Sequence, residues 1–101
     1  MIAYIIMIIL QMPRFRNYVK KLSRPFQQVI LDAVEDVVAN PEAGELKTGD
    51  LKNFRVYKFI MNRQLTLLAY KLENNSIILY QVGSHENFYK KLKRYIKETG
   101  G

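Results

Sequence analysis

The stretch "FRVYKFIMNRQLTLLAYKLENNSIILYQV", residues 54–82, decides the fold of this chain. It contains three runs rich in β-branched and aromatic residues: "FRVYKFIM" at 54–61, "LTLLAYKL" at 65–72 and "SIILYQV" at 76–82. The links between the runs, "NRQ" and "ENN", are short and polar, which is typical of turns between antiparallel strands. The stretch therefore predicts two successive β-hairpins.

The flanking segments predict one more strand and three helices. The apolar run "MIAYIIMIIL" at 1–10 favours a buried strand, because it is far shorter than the roughly 20 residues of a membrane-spanning helix. Apolar spacings of three and four predict a helical hairpin over 14–40, a polar loop follows at 41–53, and a last helix is expected from about 86 to 99. This order predicts a single α+β domain, with the helices against one face of a small, largely antiparallel sheet.

Composition excludes several classes of site. The chain of 101 residues has no cysteine and one histidine, so it offers neither a disulfide framework nor a thiolate or histidine-rich zinc site. Asp32, Glu35 and Asp36 are spaced closely enough for a metal cluster, but such a group more often forms a solvated helix face. We therefore expect no metal and no cofactor. A cytoplasmic protein with no membrane partner is expected, because the apolar start lacks the basic flank of a signal peptide.

The positive charge is concentrated in the second half of the chain. The formal net charge is +7; residues 1–50 hold six basic and six acidic side chains, whereas residues 51–101 hold ten basic and three acidic ones. On the predicted last helix the basic residues form one stripe, Lys90, Lys93, Arg94 and Lys97. Clustered positive charge favours a polyanionic partner, either nucleic acid or an acidic protein, although it is also found on simple solvated faces.

The single histidine, His85, lies where the last predicted strand gives way to the last helix. It follows the small residues Gly83 and Ser84, and loops at strand ends are common places for functional groups. A histidine there suits general acid–base chemistry near neutral pH. The alternative is an ordinary capping or surface residue.

The motifs of this region resemble the RelE/ParE superfamily of bacterial toxins, and most closely its YafQ-like branch. The resemblance covers the layout of nearly the whole chain, but its motifs are confined to residues 54–89. These motifs are Phe54-Arg55, Leu67-Leu68-Ala69-Tyr70, Gly83-Ser84-His85 and Tyr89.

The resemblance implies a toxin of a type II toxin–antitoxin system that cleaves messenger RNA on the ribosome without a metal. It assigns His85 to acid–base catalysis, Arg55 to a phosphate clamp and Tyr89 to stacking or hydrogen bonding with the RNA. We expect these three side chains to share one phosphate-sized concavity. The expected RNA-binding residues are Lys58, Arg63, Lys90, Lys93, Arg94 and Lys97.

The chain also departs from the family pattern. Leu65, Thr66 and Leu67 occupy places where other members carry polar or charged groups, and Gln81 replaces a residue that is often basic. A second acid–base group is therefore not evident from the sequence. The expected partners are a cognate acidic antitoxin, the ribosome and mRNA. The alternatives are a ParE-like toxin that binds DNA gyrase, and an inactive basic module that binds RNA or protein.

Overall fold

The computed structural model of this chain describes residues 7–100. Within them the elements are β1 (Ile8–Gln11), α1 (Pro13–Lys20), α2 (Arg24–Ala39), β2 (Glu45–Leu46), a 3-10 turn (Gly49–Leu51), β3 (Phe54–Met61), β4 (Gln64–Glu73), β5 (Ser76–Ser84) and α3 (Phe88–Thr99). A strand is confirmed at the carboxyl end of the segment predicted at 1–10, whose first six residues lie outside the described part of the chain. The expected burial of this strand was wrong for its described residues, because β1 lies at the edge of the sheet and all four of its residues are exposed.

The strands of the described chain form one sheet in the order β1–β5–β4–β3–β2. All neighbours are antiparallel except β1, which runs parallel to β5. Met61 pairs with Gln64, so only Asn62 and Arg63 form the first hairpin turn, and both have positive φ. Such φ values are those of the tight turns that match the twist of two strands. The two predicted hairpins are confirmed.

Different helices pack against the two faces of the sheet. On one face α1 and α2 cover a cluster that includes Leu68 and Tyr70 of β4. On the other face α3 and the 3-10 turn cover a cluster that includes Leu67 and Ala69. Successive residues of a strand point to opposite faces, so β4 contributes to both layers. The α+β fold is confirmed, but the helices do not share one face, because the hairpin takes one side and α3 takes the other.

The segment at 41–53, predicted as a loop, contains a two-residue strand and the 3-10 turn. β2 pairs with β3 through Glu45–Val56 and Leu46–Arg55, which makes it one of the two edge strands of the described sheet. Leu51 in the 3-10 turn is buried in the α3-side cluster. A pairing of two residues leaves no periodic pattern in the sequence, so the local signal for this strand was too short to detect.

Tyr70 fixes the beginning of that segment to the sheet. Its hydroxyl accepts a hydrogen bond from the Gly44 N–H at 2.8 Å and donates one to the Pro41 carbonyl at 2.7 Å. A Cβ on residue 44 would lie 2.7 Å from the Tyr70 ring, so glycine is required for this close approach. Arg55 secures the same segment, since its guanidinium donates to the carbonyls of Glu42 and Gly44. We call residues 41–44 the clamped loop.

Removing the Tyr70 hydroxyl is expected to destabilise the protein. Tyr70→Phe leaves the Gly44 N–H and the Pro41 carbonyl without their partner, and such a loss costs about 1–3 kcal/mol in the free energy of unfolding. Burial raises the pKa of Tyr70, so its stabilising contribution is complete below the unfolded-state pKa of about 10 and is lost as the pH rises through the higher folded-state value. Urea denaturation at neutral and alkaline pH measures both effects.

Tyr57→Phe is the matched control for this experiment. The Tyr57 hydroxyl bonds to the exposed Asp36 carboxylate, and its loss should cost only about 0.5 kcal/mol. Equal destabilisation by the two substitutions would contradict the role given to Tyr70.

Candidate functional site

His85 lies one residue beyond β5, in the bend that leads to α3. Its N–H donates to the Leu65 carbonyl at 3.1 Å, and its carbonyl accepts a hydrogen bond from the Phe88 N–H at 3.3 Å. The residue is exposed, and within residues 7–100 its imidazole makes no hydrogen bond or ion pair. The backbone of His85 is therefore held by the sheet and α3, while both ring nitrogens remain available to a ligand.

The register of the sheet places Lys58 on the same face as His85. Lys58 pairs with Leu67, and Leu67 pairs with Gly83, so these three residues form a row across β3, β4 and β5 on the face that α3 partly covers. His85 continues the alternation of β5 two residues beyond Gly83. Strand spacing and rise put the Cα atoms of Lys58 and His85 about 12 Å apart. Two side chains at that separation can approach one phosphate from opposite sides.

Tyr89 lies on α3 beside a small group of charged residues. The Lys47 ammonium lies 5.1 Å from the centre of the Tyr89 ring and 3.0 Å from the Glu45 carboxylate. The hydrogen bond from Lys47 lowers the pKa of Glu45, and the positive charge of Lys58 lowers it further. The bond to Glu45 likewise raises the pKa of Lys47, with a further contribution from the Tyr89 hydroxyl. Lys47, Lys58 and Tyr89 therefore face the same side of the sheet as His85.

Arg55 lies away from this group, contrary to the expectation of one shared concavity. It pairs with Tyr70, whereas His85 lies opposite Leu65, and five residues of β4 correspond to about 17 Å along the strand. Arg55 also alternates onto the α1–α2 face, where its guanidinium holds the clamped loop. The expectation that Arg55, Tyr89 and His85 converge was therefore wrong for Arg55, because alternation along β3 sends its side chain to the other face.

The floor between Lys58 and His85 is apolar. Ile60 pairs with Leu65, opposite His85, and these two side chains are 63% and 38% exposed. Leu67 in the next row is buried. Leu65 and Leu67, where the chain departs from the family pattern, thus lie close to His85. The positive charges of this site come from Lys58 and Lys47 around the apolar surface.

A buried polar network surrounds Gln81, another position at which the chain departs from the family pattern. Gln81 is only 4% exposed; its amide donates to the Phe88 carbonyl, and its side-chain oxygen accepts a hydrogen bond from Arg14 at 2.9 Å. Arg14 also donates to the Lys91 carbonyl and lies 4.3 Å from the centre of the Tyr95 ring. The guanidinium of Arg14 in α1 therefore supplies a positive charge beside Gln81.

The remaining predicted RNA-binding residues lie on the surface. The predicted stripe on α3 is exposed, opposite the buried Phe88, Leu92 and Tyr95. Arg63 is exposed in the turn between β3 and β4, at the same end of the sheet as His85. Between residues 7 and 100 neither Arg63 nor the stripe, Lys90, Lys93, Arg94 and Lys97, takes part in an ion pair.

Two negative findings concern the described residues. No group of three or more histidine, cysteine, aspartate or glutamate side chains is arranged there to hold a metal ion. In the same part of the chain, none of the helices has the length and apolar character needed to cross a membrane.

Comparison with known proteins places the chain in a family. The model of the ParE-like toxins of type II bacterial toxin–antitoxin systems matches residues 9–93. The fold is that of the RelE/ParE superfamily of toxins. Within it, this chain belongs to the family of ParE-like toxins of type II toxin–antitoxin systems. No curated protein sequence matches the chain significantly.

Solved structures of RelE toxins share the fold at low sequence identity. A double mutant of the E. coli toxin RelE in the free state superimposes with a TM-score of 0.67 at 16% identity, covering 89% of this chain and 97% of that one. The isolated E. coli RelE toxin gives 0.61 at 18% identity, covering 89% and 99%. RelE in the intact E. coli RelBE toxin–antitoxin complex gives 0.62 at 15% identity, covering 78% and 96%.

Sequence reasoning missed two residues of this region. Lys47 lies in the segment predicted as a loop, and only the short pairing of β2 with β3 brings it to Tyr89. Arg14 lies 67 residues before Gln81 in the chain, so no local pattern connects them. The one available signal for Arg14 was its position as a basic residue at the start of the helix that follows the first strand.

Proposed function

We propose that this toxin is a metal-free endoribonuclease that cleaves mRNA on the ribosome, with His85 and Lys58 on either side of the reacting phosphate. The observation that carries the proposal is the row Lys58–Leu67–Gly83, which leads to His85 on one open face of the sheet. Tyr89 and Lys47 border the same face. Arg55 takes no part in the reaction in this proposal.

The proposed reaction is attack of the RNA 2′-oxygen on the adjacent phosphorus, with cleavage of the bond to the 5′-oxygen. It yields a 2′,3′-cyclic phosphate and a free 5′-hydroxyl. One proton leaves the 2′-hydroxyl and one is delivered to the departing oxygen, and His85 suits one of these transfers because an imidazole can both accept and donate a proton. The Lys58 ammonium stabilises the charge that develops on the phosphate. In this proposal Tyr89 stacks against a base.

The proposed partners follow from charge. An acidic antitoxin would cover the basic second half of the chain, as an antitoxin accompanies RelE in the E. coli RelBE complex. Ribosomal RNA is the proposed competitor for the exposed stripe on α3. Both contacts would replace counterions and therefore weaken with salt.

A gyrase-binding toxin is the second candidate. It is favoured by the apolar floor, since Ile60 and Leu65 suit a protein contact better than a phosphate, and by the ParE-like family model. If the protein is a gyrase-binding toxin, His85 takes part in no catalysis.

Replacing His85 distinguishes the two candidates. His85→Gln should abolish growth inhibition and slow mRNA cleavage by about 10²–10⁴-fold, because one acid–base group is lost. The fold should persist, since the side chain is exposed. Mapping of mRNA ends and of gyrase-linked DNA breaks in expressing cells gives the readout.

Glu86→Gln is the control, because it changes the exposed neighbouring residue and should leave both growth inhibition and cleavage intact. Full mRNA cleavage by His85→Gln would refute the catalytic assignment. Toxicity of His85→Gln with DNA breaks and no mRNA cleavage would establish the gyrase candidate instead.

The salt dependence of antitoxin binding tests the charge argument. Affinity should fall steeply between about 50 and 200 mM salt. Changing the stripe Lys90, Lys93, Arg94 and Lys97 to glutamine should flatten that dependence, whereas changing the exposed Arg16 and Lys20 of α1 should not. An affinity that does not vary with salt in the unchanged toxin would contradict the proposal.

A further inference from the structure

A basic cleft lies beside the His85 site, between α1, the edge of β5 and α3. Its volume is about 490 Å³, within the range of ligand sites. Three basic side chains line it, Arg14 from α1, Lys21 directly after α1 and Lys91 from α3, and no acidic side chain does. Ser84, the residue before His85, also lines it, so the cleft adjoins the proposed catalytic site.

Arg14 is fixed in this cleft. One terminal nitrogen of its guanidinium bonds to both the Gln81 side-chain oxygen and the Lys91 carbonyl, and the Tyr95 ring lies 4.3 Å away. The planar group presents five N–H donors in all, so several remain for a ligand after these contacts. A guanidinium held in this way loses little conformational freedom when it binds an anion.

The edge of β5 provides backbone groups along the same cleft. The backbone N–H of His85 bonds to the Leu65 carbonyl in β4. In the antiparallel pattern the backbone N–H and C=O groups of Gly83 and Gln81 therefore also point toward β4. The N–H and C=O of Val82 and Ser84 therefore point away from β4, toward α1. β1 does not cover these groups, because its last pairing with β5 is that of Gln11 with Leu79. Within residues 7–100 no other backbone or side-chain group bonds to these N–H and C=O groups.

We propose that this cleft binds single-stranded RNA next to the cleaved bond. The inference rests on the proposed ribonuclease function, because it extends the path of the RNA away from His85. Arg14, Lys21 and Lys91 match the backbone phosphates, while the amide of Asn17 and the ring of Tyr18 match a base. An acidic peptide would engage the cations and the β5 edge, but it has no use for the aromatic and amide groups that line the opposite wall.

Binding of a short single-stranded RNA to toxin carrying His85→Gln tests the proposal without cleavage. Adding Lys21→Ala and Lys91→Ala removes two phosphate contacts, which should weaken binding and lower the slope of log affinity against log salt by about 0.7 for each contact. Lys20→Ala changes the exposed last residue of α1, which does not line the cleft, and is the matched control that should change neither quantity.

The outcomes separate the two proposals. RNA affinity and salt slope unchanged by Lys21→Ala with Lys91→Ala would overturn the cleft assignment, even if the parent toxin cleaves mRNA. Unchanged RNA binding combined with lost binding of poly-glutamate would identify an acidic-peptide groove and equally overturn it. Failure of the ribonuclease proposal is read separately, as the absence of mRNA cleavage by the parent toxin.

Discussion

The burial of β4 on both faces is the constraint on which the rest of the structure depends. Residues 66–70 are all buried, and alternation sends Leu68 and Tyr70 toward the helical hairpin while Leu67 and Ala69 face α3. A shift of one residue in register would exchange these sets and place each against the wrong helices. The register is therefore strongly specified. It determines which residues of β3 and β5 lie beside each residue of β4.

The same register builds the candidate site and separates it from the clamped loop. Lys58 and His85 reach the α3 face because they align with Leu67 and Leu65. Arg55 aligns with Tyr70 and reaches the opposite face, where a charged group secures a loop through backbone carbonyls. Arg55 and Lys58, which both belong to the run "FRVYKFIM", are thus directed to opposite faces of the sheet by the two-residue period of the strands.

The sequence predicted the fold well wherever a pattern was long enough to repeat. The runs at 54–61, 65–72 and 76–82 became β3, β4 and β5, and the helix expected from about 86 to 99 became α3. The side of the sheet that α3 covers was not predictable, because both faces of β4 are equally apolar.

The candidate site was predictable only in part. His85 stood out by type and position, and Lys58 was among the predicted RNA-binding residues. The side chains that share a face of the sheet with His85 are determined by alternation along each strand and by strand pairing. The sequence does not show either directly, so Arg55 was wrongly grouped with His85. Lys47 and Arg14 reach the site region through contacts between distant segments, and no local pattern encodes such contacts.

The joint action of Lys58 and His85 is the central claim, and a double-mutant cycle on mRNA cleavage measures it most directly. Residues that act in one chemical step are strongly non-additive. Lys58→Ala and His85→Ala should each slow cleavage severely, and the double variant should be little slower than the worse single one. Lys52→Ala, a change of an exposed lysine outside the site, should have no effect. Cleavage at the parent rate by Lys58→Ala, or fully additive losses in the double variant, would contradict the account.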